Sequence, residues 1–215
     1  MKRILLAALA AVLTLLAATG LGLGFIHITD LPYTVDVGAL NIEENTGLSR
    51  DEIMDNYNAV MRFLSPFREG EFDLPTLKYT ATGAQHFVDC KVIFNWVYII
   101  SAASLVVLGL LLWRRALDRK TLKYSGLLTM AIPLAFALAL LVNFDRLFVV
   151  FHAVFFEGDT WIFDPKADEI INILPSEFFM HCALVISLFW VLAATGEFVA
   201  GSVRKKGNKN QEKAS

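Results

Sequence analysis

Residues 92–123 decide the fold and read "VIFNWVYIISAASLVVLGLLLWRRALDRKTLK". Residues 92–113 contain no charged side chain, and the positions that follow are rich in arginine and lysine. An α-helix needs roughly 20 apolar residues to cross the hydrocarbon core of a bilayer. We therefore predict a transmembrane helix over residues 92–113 and a basic loop over residues 114–121.

Three further segments have the same apolar character: residues 1–26, 122–142 and 178–200. Hydrophobic residues make up 56% of the chain, more than in an ordinary soluble domain. The first segment follows Lys2 and Arg3, as a secretory signal would, but its apolar run is too long and no A-x-A-like cleavage site closes it. The sequence therefore predicts an all-α integral membrane protein with four transmembrane helices, the first of which is retained.

Lysine and arginine are distributed unevenly between the segments that flank these helices. They precede the first helix, fill the loop 114–121 and recur in the tail 201–215. Because short loops rich in lysine and arginine stay in the cytoplasm, we expect both termini to be cytoplasmic. Residues 27–91 and 143–177 then lie outside, where we expect a small, mainly helical extracellular cap. The tail is an ordinary basic flank, and nothing indicates nucleic-acid binding.

Residues 50–64, in the first outer segment, have the pattern of an amphipathic helix. Ser49 and Glu52 form a capping-box pattern at its start, and apolar residues then recur three or four positions apart. Such a helix can pack in a small cap or lie among lipid headgroups. We favour the cap, because the polar face of the helix is not markedly basic.

A group of reactive side chains precedes the second transmembrane segment. A helix-start pattern, Thr82 with Gln85 three residues later, leads into His86, Asp89 and Cys90. Residues three and four apart share one side of a helix. The group is therefore either a catalytic pair, in which Asp89 raises the basicity of His86, or an interfacial histidine solvated by headgroups.

The second outer segment places a histidine among aromatic residues. Asp145, Phe148 or Val149, and His152 recur on one helical face, so the third helix is expected to continue beyond the membrane or to bend along its surface. An aromatic belt at the membrane interface explains Trp161 and the neighbouring rings. It does not explain the ionisable residues among them.

The other two histidines and the two cysteines have plainer explanations. His27 and His181 lie near helix ends, where we expect structural or interfacial roles. Cys90 and Cys182 lie near the outer ends of predicted helices, and free thiols are favoured over a disulfide. A zinc site built from histidines and a cysteine is an alternative, but the chain has no tight cluster of such ligands and we predict no metal. The histidines of that alternative are His86, His152 and His181.

Four stretches are distinctive in combination: "SRDEIMDNYNAVMRFL", "QHFVDCKVIF", "FHAVFFEGDTWIFDP" and "IINILPSEFFMH". Together they resemble the bacterial lipoprotein intramolecular transacylases, the Lit family, and the resemblance covers nearly the whole chain. It implies a membrane enzyme whose substrate is a lipoprotein with a diacylglyceryl thioether and a free α-amine on its N-terminal cysteine. The sn-2 acyl chain would move to that amine and give the lyso-form lipoprotein. His86 and His152 would be the catalytic histidines.

Two histidines suit the implied reaction. An α-amine with a pKa near 8 must lose its proton before it attacks, and imidazole can take that proton. The glyceryl oxygen needs a proton as it leaves, which the second histidine can return. The attack closes a ring of about eight atoms, so an aromatic pocket that holds the substrate folded would lower the barrier. No covalent acyl-enzyme and no cofactor are needed.

The sequence leaves open which histidine is the base. We expect Asp89 to support His86 and Asp145 to orient the site. The partners are the lipoprotein and the bilayer, and the protein is expected to work as a monomer in the cell membrane with its active site at the extracellular face. The expected walls of the substrate pocket are Trp161, Phe155 and Tyr57.

Two other functions are compatible with the same residues. A non-enzymatic membrane sensor or assembly factor would bind a partner through the cap and leave the histidines idle. A lipid-ester hydrolase would release the fatty acid to water. The lipid on a lipoprotein N-terminus separates the three functions, because it would stay unchanged, lose one acyl mass, or keep its mass with a newly blocked amine.

Overall fold

The structure, a computed structural model, describes residues 1–203, and within them the chain forms α-helices and no β-strands. Most of the predicted basic tail therefore lies outside the described residues. The helices are α1 (Lys2–Ile28), α2 (Leu31–Ala39), α3 (Ile42–Thr46), α4 (Arg50–Leu64), α5 (Ala81–Trp113), α6 (Arg119–Phe155), α7 (Ile170–Ile173) and α8 (Ser176–Ser202).

Four membrane-spanning segments form the body of the molecule: α1, α5, the Arg119–Leu140 part of α6, and α8. Their outer faces expose large apolar side chains, such as Val106 at 62% and Leu134 at 64%. A surface of this kind is unfavourable in water and suits the acyl chains of a bilayer. The predicted fold class, an all-α membrane protein with four transmembrane helices, is confirmed.

Helix α1 lies at the centre of the bundle, in contact with α5, α6 and α8. Its packed faces consist of small residues, and Ala7, Ala10 and Ala18 are at most 2% exposed. Gly20 lies so close to α5 that a Cβ atom there would be 2.3 Å from Oγ of Ser101. Small residues allow membrane helices to approach closely and to gain van der Waals contact. The position of α5 is therefore set by its packing on α1.

Helices α5 and α6 extend beyond the apolar segments that predicted them. Helix α5 begins at Ala81, about three turns before the apolar segment that starts at residue 92 and close to the predicted start at Thr82. Helix α6 is interrupted at Asn143, whose backbone is extended (φ −168°, ψ 91°). The Asn143 side chain accepts a hydrogen bond from the backbone N–H of Arg146 at 2.9 Å, and so it caps a second helical piece. The third membrane helix thus bends and continues to Phe155.

The cap at one end of the bundle is built from α2, α3, α4 and α7. Its core joins these helices to the first turns of α5 and α8. Tyr33 and Tyr57 stack with their ring centroids 3.8 Å apart, and the Tyr33 hydroxyl donates to the carbonyl of Ile173 at 2.7 Å. Because Phe87 of α5 and Phe178 of α8 belong to the same core, the cap is packed directly onto the membrane helices.

Helix α4 begins at its capping box. Oγ of Ser49 accepts from the backbone N–H of Glu52, and the Glu52 carboxylate accepts from the backbone N–H of Ser49. Ile53, Tyr57 and Val60 are at most 2% exposed. The apolar face of α4 is therefore buried in the cap rather than laid on lipid.

At the end of the bundle away from the cap, polar contacts join α1 to the loop between α5 and α6. Arg3 of α1 forms a salt bridge with Asp118 at 3.1 Å. Asp118 also caps α6, because its carboxylate accepts from the backbone N–H of Thr121 at 2.7 Å. The start of α1 and the loop between α5 and α6 thus lie side by side.

Candidate active site

The first turn of α5 is fixed by the loop that follows α6. Thr80 is the N-cap, and its hydroxyl oxygen accepts from the backbone N–H of Gly83 at 3.0 Å. Oδ1 of Asp168 accepts from the backbone N–H of Thr80 at 2.7 Å and from its hydroxyl at 2.9 Å. The helix therefore begins where its start was predicted, but the cap is Thr80 and not Thr82, because Asp168 holds the earlier threonine.

Gly83 allows this loop to approach the helix. A Cβ atom on Gly83 would lie 2.3 Å from Oδ1 of Asp168 and 3.1 Å from a ring carbon of Phe163. Beside this contact, the backbone N–H of Lys78 donates to the Glu169 carboxylate at 2.9 Å, and the backbone N–H of Glu169 donates to the Lys78 carbonyl at 3.0 Å. The segment before α5 and the loop after α6 are thus held together.

His86 of α5 and His152 of α6 meet at this junction. Their ring centroids are 5.7 Å apart, and the residues are 6% and 8% exposed. The Phe156 ring lies 4.5 Å from the His86 ring and 5.3 Å from the His152 ring. The two imidazoles are therefore neighbours in one buried aromatic cluster.

The hydrogen bond of His152 defines its tautomer. Nδ1 lies 2.8 Å from the carbonyl oxygen of Phe148, and since a carbonyl only accepts, Nδ1 donates. The lone pair of the neutral ring is then on Nε2. Trp161 stacks on the imidazole at 4.7 Å with an interplanar angle of 27°, and the Phe148 ring lies 4.2 Å away. These contacts fix the orientation of the ring.

Burial also decides the charge of His152. It lowers the pKa of His152 from the ordinary value of 6.5, and the hydrogen bond to the Phe148 carbonyl raises it by a smaller amount. Desolvation penalises the charged imidazolium. The stable form at neutral pH is therefore the neutral ring, which can accept a proton.

His86 has a different environment, in which one nitrogen is unpaired. Its Nε2 lies 3.5 Å from Sγ of Cys90, and its ring packs edge-on against Phe163 at 5.5 Å. Nδ1 is buried and has no hydrogen-bond partner among residues 1–203. A buried polar atom without a partner costs about 1–3 kcal/mol, so Nδ1 is a natural position for a substrate contact.

The two predicted carboxylates do not hydrogen-bond to the histidines. Asp89 is half-buried and accepts from the side-chain amide of Gln85 at 2.8 Å. Asp145 is exposed and lies in the first turn of the helical piece that Asn143 caps. A carboxylate there is favourable because the helix N-terminus carries partial positive charge.

Only one of the three predicted aromatic wall residues contacts the described histidine pair. Trp161 stacks on His152. Phe155 is 54% exposed and packs against Phe151 at 4.8 Å. Tyr57 lies in the core of the cap, stacked on Tyr33.

Sequence reasoning missed several residues that build the site. Some of them had a local signal, since Cys90 follows His86 by one helical turn and Phe148 precedes His152 by one turn. The contact that joins the two chain segments had none, because it links residues far apart in sequence. The residues that were not assigned to the site are Gly83, Cys90, Phe148, Phe156, Phe163 and Asp168.

The remaining histidines have partners elsewhere. Nδ1 of His27 lies 2.5 Å from the hydroxyl of Tyr98, and Nδ1 of His181 lies 2.7 Å from Oδ1 of Asp36. Both cysteines are free thiols. Across residues 1–203, His, Cys, Asp and Glu side chains do not gather in groups of three that could hold a metal.

Known proteins share this architecture. The chain matches the family model described as lipoprotein intramolecular transacylase Lit over residues 6–179. It is similar to the solved structure of the membrane integral lipoprotein intramolecular transacylase Lit from Bacillus cereus, with a TM-score of 0.83, 32% identity, and coverage of 92% of this chain and 93% of that one. Two structures of the Bacillus cereus protein with a histidine mutated, to arginine or to alanine, each give a TM-score of 0.79 and 31% identity. They cover 93% of this chain, and 90% and 92% of theirs. No curated protein matches the chain.

Proposed function

The chain belongs to the lipoprotein intramolecular transacylase (Lit) family, and on that premise we propose that it moves an acyl chain within a diacylglyceryl-modified lipoprotein. The sn-2 chain leaves its glyceryl oxygen and joins the α-amine of the same N-terminal cysteine, which gives the lyso-form lipoprotein. The observation that carries the proposal is the pair of buried histidines, His86 and His152, with rings 5.7 Å apart.

His152 acts as the base. Its Nδ1 donates to the Phe148 carbonyl, which leaves the lone pair on Nε2, and burial keeps the ring neutral. The neutral amine attacks the sn-2 ester carbonyl carbon, and Nε2 takes one proton from the nitrogen. A C–N bond forms and the C–O bond to the glyceryl group breaks. The proton then passes from Nε2 to the glyceryl oxygen, so the reaction is an isomerisation that consumes no second reactant.

His86 stabilises the negative charge that develops on oxygen. Its Nδ1 is buried and unpaired within the described residues. In the N–H form it donates to the ester oxygen as the amine attacks, when the hydrogen bond is strongest. One such donor contributes a factor of about 10²–10³ to the rate. We therefore assign the base role to His152 and the donor role to His86.

The aromatic rings around the pair orient the substrate. Phe156 lies against both imidazoles, with Trp161 stacked on His152 and Phe163 against His86. Closing a ring of about eight atoms is unfavourable unless the chain is held folded, which a confined pocket does. Apolar walls also keep water from competing with the amine. Both histidines come from one chain, so a monomer is sufficient.

We place the site at the extracellular face of the membrane. The cap lies at the end of the bundle opposite the start of α1 and the loop 114–118, both of which are basic. Basic loops stay in the cytoplasm. The termini are then cytoplasmic, and the cap meets lipoproteins on the outer surface.

Mass spectrometry of a lipoprotein N-terminus tests the reaction. The gene is expressed in a host that lacks N-acylation of lipoproteins, and the N-terminal lipopeptide is analysed with and without it. We expect an unchanged mass with one acyl chain moved to the amine in the fragment spectrum. Loss of one acyl mass would indicate the hydrolase instead, and an unchanged spectrum would indicate the sensor. Either of these outcomes would overturn the proposal.

A further inference from the structure

The Cys90 thiol lies beside His86, the histidine to which we assign the donor role. The two residues are one turn apart on α5, and Sγ lies 3.5 Å from Nε2 of His86. The thiol is free and half-buried. The role proposed above for His86 makes no use of this contact.

The two nitrogens of His86 are therefore unequal. Nε2 has the thiol as its neighbour, and Nδ1 is buried without a partner among residues 1–203. The ring is 6% exposed and lies among Phe156, Phe163 and His152. Nε2 therefore stays with the protein, and Nδ1 is the nitrogen left for a substrate hydrogen bond once the buried site opens.

The hydrogen-bonding capacity of a thiol decides where the proton on His86 lies. Burial disfavours charged forms, so both groups are considered neutral. A neutral thiol is a weak donor through its S–H and a weak acceptor through its sulfur, but the unprotonated nitrogen of imidazole is a strongly basic acceptor, so S–H···N is the better pairing. The nitrogen that faces it is best used as an acceptor. The single proton of the neutral ring then belongs on Nδ1.

We propose that Cys90 is a positioning residue, whose thiol donates to Nε2 and holds His86 in the Nδ1–H form that faces the substrate. This inference rests on the function proposed above for its consequence, since it is the Nδ1–H group that stabilises the ester oxygen. With this tautomer, His86 and His152 present complementary groups to the substrate. The Phe148 carbonyl fixes His152 with a free lone pair, and the Cys90 thiol fixes His86 with a free N–H.

Substitution of Cys90 tests the kinetic consequence. Loss of a residue that orients a metal-bound ligand typically costs 10–100-fold. By analogy, Cys90→Ala should lower kcat by about 10-fold with KM changed less than about twofold. Cys90→Ser keeps an O–H donor and should retain kcat within about threefold of the unsubstituted protein. Cys182→Ala is the matched control, because Cys182 is a second free thiol away from the pair, and it should leave kcat unchanged. An unchanged kcat in Cys90→Ala, or equal losses in the serine and alanine variants, would overturn the proposal.

Nitrogen NMR of the intact protein tests the tautomer without any turnover. With ¹⁵N-labelled histidine, an unprotonated ring nitrogen resonates far downfield of a protonated one, and His86→Gln identifies the His86 signals. We expect Nε2 of His86 to be the unprotonated nitrogen, and Cys90→Ala to shift the population toward the Nε2–H form. A resting Nε2–H form would sink the proposal even if acyl transfer occurs. Failure of acyl transfer in the mass-spectrometric experiment would instead remove the proposed function and leave the tautomer result standing.

Discussion

Two polar sites of the molecule differ in how their polar atoms are satisfied. Near the cap, His86 and His152 are enclosed by aromatic rings, and Nδ1 of His86 has no partner within the described chain. In the other half of the bundle, Glu197 of α8 accepts from the hydroxyls of Thr14 at 2.7 Å and Thr129 at 3.1 Å. Ser125 donates to the same carboxylate at 3.0 Å.

The difference separates a site whose hydrogen bonds hold helices together from the site to which we assign the proposed reaction. The Glu197 carboxylate has donors from α1 and α6, so its hydrogen bonds join three helices. Buried polar networks rigidify a structure when every member is paired. The histidine site leaves one nitrogen unpaired at a cost in free energy. Under the proposed function, that cost would be recovered when a substrate oxygen accepts from Nδ1.

The largest expected effect comes from removing the proposed base. His152→Ala should lower the rate of acyl transfer by about 10²–10⁴-fold, the usual contribution of a general base. His181→Asn is a matched control at the cap end of α8, because the asparagine amide can still donate to Asp36, and its rate should be unchanged. Rates are measured by mass spectrometry of the lipopeptide product. If His152→Ala transferred the acyl chain at the rate of the unsubstituted protein, His152 would not be the base, and the histidine site would no longer differ in function from the Glu197 site.

A smaller loss is expected when the junction that joins the histidines is disturbed. A Cβ atom in Gly83→Ala would lie 2.3 Å from Oδ1 of Asp168, so the loop and the first turn of α5 must separate. A displacement of about 1 Å can cost up to 10²-fold in rate, and we expect a loss of about 10–100-fold. Gly38→Ala in α2 is the control, because its Cβ would meet no atom within 4 Å. Equal rates in the two variants would show that the junction does not position the pair.

The transmembrane architecture could be predicted because the thickness of a bilayer fixes how long an apolar segment must be. The four segments are apolar over that length, and a chain without helical hydrogen bonds could not cross the bilayer in their place. The ends of the helices were harder to predict. Helix α5 continues back to Ala81, where apolar composition gives no signal and only a capping pattern, two residues late, indicated the start.

The candidate site could be predicted only in part, for a related reason. His86 and His152 were identified from their neighbours and from the family resemblance. Their juxtaposition depends on Asp168 accepting from Thr80 across 88 positions, and on the break at Asn143 that redirects α6. A contact across that distance leaves no periodic pattern in the sequence.

The Glu197 cluster should respond in stability rather than in rate. Glu197→Ala leaves the hydroxyls of Thr14, Ser125 and Thr129 without their shared acceptor, and the free energy of unfolding should fall by about 1–2 kcal/mol. The rate per folded molecule should stay within about twofold, because distant substitutions act independently. Thermal unfolding in detergent, followed by tryptophan fluorescence, measures the first quantity. A large loss of rate without a change in stability would reverse the roles of the two sites.

The smallest expected effect is a shift in the pH dependence of kcat/KM. The base must be neutral to accept a proton, and burial lowers the pKa of His152 from 6.5. The rate should therefore fall as the pH drops through a value below 6.5, in addition to the loss caused by protonation of the substrate amine near pH 8.

Trp161 covers one face of the His152 ring. Trp161→Ala admits water, weakens the desolvation and should move the acidic limb upward toward 6.5, whereas Trp161→Phe keeps an aromatic cover and should move it less. Rates measured from about pH 5 to pH 9 resolve both limbs. Two results would contradict this expectation: an acidic limb above 6.5 in the unsubstituted protein, or an acidic limb that Trp161→Ala leaves in place. Either result would show that the group whose protonation limits the rate is not the buried His152 imidazole. The reactive site that we contrast with the Glu197 site would then contain a different base.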